Sequence, residues 1–142
     1  MSAIVQHLTA IARCGMEYRK KYLESVGIDA RYGRFLMEVC QQPGISQDGL
    51  ARLLLVDKST VTRISTTLEE SGYISRKCCP EDRRITRIYP TQKTMEILPA
   101  LNDAWDSWEK RITKDLTQEE VCQLRELLQK MKTAARAYIE EG

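Results

Sequence analysis

Apolar residues recur along most of this chain at alternating steps of three and four, which is the spacing of one side of an α-helix. The pattern predicts six helices. The first ends near Gly27, the second stops at Pro43-Gly44, a tight turn separates the third from the fourth, and two long helices follow Pro90. Ser46 and Asp57 are the predicted N-caps of the third and fourth helices. The protein is therefore predicted to be mainly α-helical.

Between the fourth and fifth helices the pattern changes from helical spacing to strict alternation. Residues 73–78 and 85–89 alternate as two strands around the loop at 79–84. A helix, a tight turn and a second helix, followed by a hairpin, is the order of a winged helix-turn-helix. We therefore predict an α+β fold that is mainly α, with a small two-stranded β wing.

The length of 142 residues leaves room for one domain with a core. We predict a single domain over residues 1–142, with the winged helix-turn-helix at 30–90 and helical dimerisation regions at 1–27 and 91–142. A monomer of this size has no second layer to cover the apolar stripes of the first, fifth and sixth helices, so we expect them to pair with a second copy. The alternative is that the fifth and sixth helices pack against the first within one chain.

Composition excludes more than it identifies. The formal net charge of +2 does not by itself indicate nucleic-acid binding, so any basic footprint is local, and cations do exceed anions between Arg76 and Arg87. The amino terminus lacks a signal-peptide pattern and no run is long and apolar enough for a membrane span, so we expect a cytoplasmic protein without a membrane partner. The chain carries no phosphate loop, zinc-protease motif or nucleophile elbow, and we predict that it is not an enzyme.

The five cysteines are scattered without a framework, which predicts thiols in a reducing compartment. His7 is the single histidine and no Cys-x-x-Cys spacing occurs, so we expect neither a metal site nor a cofactor.

The fourth helix presents a short, polar and cationic outward side, formed by Ser59, Thr62, Arg63 and Thr66. Small hydroxyl side chains allow close approach to DNA base edges, and an arginine can pair with guanine through two hydrogen bonds. The basic tip of the wing follows at 81–84. The alternative interpretation is an ordinary solvated surface helix.

Several motifs together resemble the MarR family of winged-helix transcription regulators. They are Asp-Lys-Ser-Thr-Val-Thr-Arg at 57–63, Leu-Glu-Glu-Ser-Gly-Tyr-Ile at 68–74, and Asp82-Arg83-Arg84 followed by Ile88 and Thr91. The resemblance covers nearly the whole chain in length and in the order of its elements.

The resemblance implies a homodimeric regulator, in most cases a repressor, that binds a pseudo-palindromic operator in double-stranded DNA. It implies that the fourth helix enters the major groove and that Arg84 reaches into the minor groove while Asp82 steadies it. The alternative is an interaction module that keeps the fold without binding DNA. The predicted DNA-binding residues are Lys58, Ser59, Thr60, Thr62, Arg63, Thr66, Arg76, Asp82, Arg83 and Arg84.

Members of this family are commonly released from DNA by a small aromatic or phenolic anion or by oxidation of a cysteine. The predicted ligand-binding residues are Arg13, Tyr18, Tyr22, Arg34, Phe35 and Trp105, with Trp108 nearby. The alternative is that these side chains are plain core and interface.

The predicted redox candidates are Cys14, Cys78 and Cys79. The alternatives are a buried, inert Cys14, and a Cys78-Cys79 pair that points to opposite faces of a strand with one thiol buried and one exposed.

Overall fold

The computed structural model describes residues 2–141, and within them six α-helices confirm the helix count expected from the sequence. A 3-10 turn at Ala30–Tyr32 precedes the second helix. The helices and strands are α1 Ala3–Ser25, α2 Gly33–Gln41, β1 Ile45–Ser46, α3 Gln47–Leu54, α4 Lys58–Glu70, β2 Ile74–Cys78, β3 Thr86–Pro90, α5 Gln92–Ile112 and α6 Gln118–Glu141.

The predicted helix caps are confirmed by their hydrogen bonds. The Ser46 hydroxyl accepts the backbone N–H of Gly49 at 2.9 Å, and a carboxylate oxygen of Asp57 accepts that of Thr60 at 2.7 Å. Gly72 follows α4 with a φ of 82°, the left-handed conformation that glycine adopts without a Cβ clash. These local signals fix where α3 and α4 begin and where the chain turns into the wing.

The sheet has three strands, where the sequence predicted two. β2 and β3 form the expected hairpin, and the two-residue strand β1 pairs antiparallel with the other side of β3, with Ile45 opposite Ile88. The backbone N–H of Gly44 donates to the Ile88 carbonyl at 2.8 Å as β1 begins. Two residues are too few to show an alternating pattern, so this strand was missed. In the order β1-β3-β2, the strand β2 lies at an edge.

The chain forms two compact units, Met1–Trp108 and Glu109–Gly142. The first unit contains the core, where a set of aliphatic side chains from α1, α2, α3, α4, β3 and α5 is fully buried: Leu23, Val39, Leu50, Val61, Leu68, Ile88 and Leu101. Burying each such side chain stabilises the fold by roughly 1.5–3 kcal/mol. Because α4 buries Val61, Ser65 and Leu68, its opposite side is left for solvent.

The second unit is built around α6. The hydroxyl of Thr117 accepts the backbone N–H of Glu120 and the Glu120 carboxylate accepts that of Thr117, which is a capping box. α6 has no buried residue, and its exposed apolar side chains include Leu124, Leu128 and Met131. Over residues 2–141, none of the helices has both the length and the apolar run that a bilayer crossing requires.

Candidate nucleic-acid interface

The outward side of α4 is the first element of the interface. Ser59, Thr62, Arg63 and Thr66 are all exposed, as the helical spacing predicted. The Thr62 hydroxyl donates to the Lys58 carbonyl and the Thr66 hydroxyl to the Thr62 carbonyl, each at 3.0 Å. Since the hydroxyl protons are used inside the helix, the threonine oxygens remain as acceptors and their methyl groups as apolar contacts. Amino groups of adenine or cytosine and the thymine methyl are the complementary groups in the major groove.

The amino-terminal turn of α4 is ordered by contacts of its own. The Ser59 hydroxyl donates to the Asp57 carboxylate at 2.9 Å. The hydrogen bonds from Thr60, and after them the bond from Ser59, hold the pKa of Asp57 below its usual value. The Lys58 ammonium lies 3.2 Å from Asp48 of α3 and remains largely exposed. The ordered cap presents Lys58 and Ser59 at the start of the helix, where phosphates are favourably placed.

The tip of the wing is the second element. Arg84 donates to the Asp82 carboxylate through its backbone N–H at 3.0 Å, through Nε at 3.1 Å and through Nη2 at 3.2 Å. These bonds hold the pKa of Asp82 below its usual value. The Arg84 side chain is nonetheless 90% exposed, and the neighbouring Arg83 is exposed as well. The loop thus presents an oriented guanidinium to solvent, which suits a narrow minor groove.

Arg76 does not join this exposed set. Its guanidinium lies against the Glu69 carboxylate of α4, with Nη2 and Oε1 3.0 Å apart, and its side chain is 22% exposed. Of the ten predicted DNA-binding residues, Arg76 is the one whose charged group is held by a carboxylate of α4.

The wing cysteines differ in environment, as one of the two interpretations predicted. Cys78 is exposed and its thiol donates to the Arg83 carbonyl at 3.1 Å, whereas Cys79 is buried. Hydrogen bonds from the backbone of Asp82 and Glu81, and then from the Arg87 side chain, lower the pKa of the Cys79 thiol. The alternative of a buried Cys14 is wrong, because this residue is exposed on α1.

A separate cavity of about 870 Å³ lies among α1, the 3-10 turn, α2 and α5. Of the six predicted ligand-binding residues, Arg34 and Trp105 line it and the other four do not. Phe35 is 3% exposed within the core. Tyr18 donates to the Ser107 hydroxyl at 2.9 Å, Tyr22 packs against the core, and Arg13 is exposed on α1.

Arg19 is one of the cavity residues that the sequence interpretation missed. Its guanidinium lies 4.8 Å from the centre of the Trp105 ring. Burial of the Arg19 side chain lowers its pKa, and the positive charge of Arg34 lowers it further. The signal was present in the sequence, since Arg19 follows Gly15 by four positions and so shares its side of α1. The two arginines are cations placed near each other, and an anion beside them would be stabilised. The rest of the charged lining is mixed, with the cations Lys20 and Arg31 and the carboxylates of Glu17, Glu24 and Asp29.

A helix-turn-helix with a polar outward face, followed by a hairpin whose tip exposes an oriented arginine, defines a winged helix-turn-helix protein of the kind that regulates transcription. The sequence model of the MarR family matches residues 33–86, which run from α2 into β3. The winged helix-turn-helix segment of this chain thus matches the MarR family, and the proteins similar to the chain as a whole are named transcriptional regulators.

Individual relatives and solved structures show the same similarity. The chain is 27% identical over 120 residues to the HTH-type transcriptional regulator BilQ of Clostridium symbiosum, an alignment that covers 84% of this chain and 83% of BilQ. The crystal structure of the transcriptional regulator SlyA superposes with a TM-score of 0.90 at 27% identity and covers 98% of both chains. A MarR family regulator from Listeria monocytogenes, solved in complex with 26mer DNA, shares the fold at a TM-score of 0.89 and 23% identity over 100% of this chain and 97% of that one.

Proposed function

We propose that this protein is a cytoplasmic, homodimeric repressor that binds a pseudo-palindromic operator in double-stranded DNA. The observation that carries the proposal is the exposed Arg84 guanidinium, held by Asp82 at the tip of the wing that follows α4. The Listeria regulator in complex with 26mer DNA supports it, since that protein shares this fold.

The proposed roles follow from the exposed groups. Thr62, Thr66 and Arg63 read base edges in the major groove, with Ser59 and Thr60 at the start of the helix. Lys58 and Arg83 neutralise phosphates, and Arg84 enters the minor groove.

Two exposed apolar surfaces support the homodimer. On α1, the side chains of Ile4, Leu8 and Ile11 are 40–61% exposed. On α6, Leu124, Leu127, Leu128, Met131, Tyr138 and Ile139 are 39–77% exposed. Apolar stripes of this kind are stabilised when a second copy covers them. A two-fold dimer would present two recognition helices to half-sites about one DNA turn, roughly 34 Å, apart.

We further propose that a small aromatic or phenolic anion releases the protein from DNA by binding the cavity beside Trp105. The cavity volume fits a compact organic ligand, Trp105 offers a ring to stack on, and Arg19 and Arg34 offer positive charge. Oxidation is the second proposed route, through the exposed thiols of Cys14 or Cys78, with Cys79 beside the latter.

Fluorescence anisotropy of a labelled duplex from the region upstream of the protein's own gene tests DNA binding. We expect tight binding that weakens steeply from about 50 mM to about 200 mM salt, and a loss of roughly tenfold or more in affinity for Arg84→Ala. Arg31→Ala is the matched control, because Asp29 and Arg31 form the same Asp-x-Arg hydrogen bonds in the 3-10 turn.

Equal affinities for Arg84→Ala and Arg31→Ala would refute the role of the wing tip. Wild-type binding no tighter than to random duplex would favour the alternative of a protein-interaction module.

A further inference from the structure

Glu69 and Arg76 connect the end of α4 to the middle of β2. One carboxylate oxygen of Glu69 accepts the backbone N–H of Arg76 at 2.9 Å. The other accepts Nη2 at 3.0 Å and Nε at 3.3 Å. A single side chain of the helix thus holds both the backbone and the side chain of the strand.

The position of β2 explains why this contact forms. β2 is an edge strand, so the N–H groups on its outer side have no neighbouring strand to bind. Arg76 has its N–H on that side, and the Glu69 carboxylate takes the place of the missing strand. The remaining oxygen then orients the guanidinium, which makes the contact stronger and more directional than a backbone hydrogen bond alone.

β1 holds the hairpin on its β3 side as far as Arg87, whose Nη1 donates to the Gly44 carbonyl at 2.9 Å. On the β2 side, other contacts hold the turn that precedes the strand. The Tyr73 N–H donates to the Leu68 carbonyl at 2.8 Å, and the Thr91 hydroxyl donates to the Gly72 carbonyl at 2.6 Å. Both lie at the base of the wing, whereas Glu69 holds β2 at Arg76, two residues farther toward the tip than Ile74, the first residue of the strand. The Glu69–Arg76 contact is therefore placed to set the angle between the hairpin and α4.

We propose that Glu69 and Arg76 are positioning residues that fix the wing relative to the recognition helix, and that Arg76 does not contact a DNA phosphate. This inference rests on the proposed DNA-binding function. Binding both grooves at once requires a fixed distance from the α4 face to Arg84, and a hairpin whose β2 edge can shift against α4 would lose affinity when it is ordered on DNA.

The proposal predicts an effect opposite to that of simple electrostatics. Glu69→Gln removes a negative charge from a surface near DNA, which on charge alone would tighten binding. If the contact positions the wing, the same change weakens binding, because glutamine has one acceptor oxygen instead of two and its amide nitrogen only donates, so it cannot hold both the Arg76 backbone N–H and the guanidinium as the carboxylate does.

The experiment measures the affinity of wild type, Glu69→Gln, Arg76→Gln and the double variant for a labelled duplex selected from a random pool by the wild-type protein. We expect each single variant to bind roughly tenfold more weakly, and the double variant to bind no more weakly than either, since both remove one contact. The slope of log affinity against log salt should equal that of wild type. Lys77→Gln is the control, because it removes a neighbouring charge on β2 without touching Glu69.

Arg76→Lys separates the two roles of Arg76. A lysine keeps the charge that a phosphate needs but lacks the planar fork that spans to Glu69, so we expect it not to restore affinity. Tighter binding by Glu69→Gln, together with a salt slope reduced by about 0.9 in Arg76→Gln, would overturn the proposal and show that Arg76 contacts a DNA phosphate.

A measurement without DNA keeps the two proposals distinguishable. In free protein, Glu69→Gln should speed hydrogen exchange of the Arg76 amide and of the wing beyond it, while amides of α2 stay at wild-type rates. Unchanged exchange at Arg76 would overturn the positioning role. Failure of the wild-type protein to bind any selected duplex would instead refute the proposed DNA-binding function.

Discussion

The Asp82 carboxylate accepts three hydrogen bonds from Arg84, one from its backbone and two from its guanidinium. The chain repeats this arrangement at Asp29 and Arg31, with backbone and guanidinium distances of 3.0 and 2.7–3.1 Å. The Asp-x-Arg geometry is therefore a local property of the sequence. What distinguishes Arg84 is its place at the tip of a hairpin that follows the recognition helix.

Asp82→Ala is expected to weaken DNA binding less than Arg84→Ala does, because the carboxylate acts only by orienting the guanidinium. In an Arg84→Ala background, loss of Asp82 should cause no further loss of affinity, which anisotropy on the same duplex would measure. A further loss there would mean that Asp82 contributes by another route.

The contribution of Asp82 to DNA affinity should depend on pH only below a defined range. The pKa of Asp82 is lowered by Arg84, so the pair is fully formed above the ordinary carboxyl pKa and is lost as pH falls through the lowered value. The affinity difference between wild type and Asp82→Ala should thus be constant from about pH 5 to about pH 8. A difference that changes within this range would contradict the assignment.

Ser65→Ala should stabilise the protein. The Ser65 hydroxyl is fully buried on the inner side of α4, and its oxygen has no hydrogen-bond partner in the described part of the chain. Replacing an unpaired buried hydroxyl by a methyl group should raise the free energy of unfolding by about 1 kcal/mol. Urea unfolding measures this change, and DNA affinity should not change. Thr66→Ala, on the exposed side of the same helix, is the control. It should lower DNA affinity and leave the free energy of unfolding unchanged.

Gly15→Ala should destabilise the packing of α1 against α5. An added Cβ would lie 2.7 Å from Trp108 Nε1 and 2.8 Å from an Arg19 Nη1. Alanine gains about 1 kcal/mol in helix propensity, but overpacking costs about 1–3 kcal/mol, so a net loss in the free energy of unfolding is expected. Trp108→Phe removes the indole nitrogen and should make Gly15→Ala less costly. An equal cost in both backgrounds would contradict the packing argument.

Benzoate is a suitable probe of the cavity beside Trp105. Binding should quench tryptophan fluorescence in Trp108→Phe, where Trp105 is the remaining indole. Arg34→Met should weaken benzoate binding by roughly tenfold, since it removes one of the cations that line the cavity near Trp105. Arg13→Met is the control, because Arg13 does not line the cavity. Equal quenching in both variants would refute the role of Arg34.

Thiol labelling should separate the two wing cysteines. In native protein, iodoacetamide should modify Cys78 before Cys79, because the Cys79 sulfur is buried although its pKa is lowered. Cys40 should also react slowly, since burial raises its pKa. Peptide mass spectrometry at short times gives the order. Faster labelling of Cys79 than of Cys78 would show that the wing loop opens readily.

The sequence by itself determined those features whose signals span a few residues. The caps at Ser46 and Asp57, the left-handed Gly72 and the outward side of α4 all depend on neighbours within one helical turn. The Asp82–Arg84 contact spans two residues, so its motif could be recognised before the structure was known.

The tertiary structure decided what depends on residues far apart in the chain. β1 exists because Ile45 meets Ile88, a partner in a strand beyond α3, α4 and the wing tip. The contact of Arg76 with the Glu69 carboxylate spans a turn and joins a strand to a helix. Phe35 lies in the core, whereas Arg19 lines the cavity beside Trp105. Periodicity indicates which side of an element is apolar. It does not indicate which distant side chain lies opposite, because that depends on how the whole chain packs.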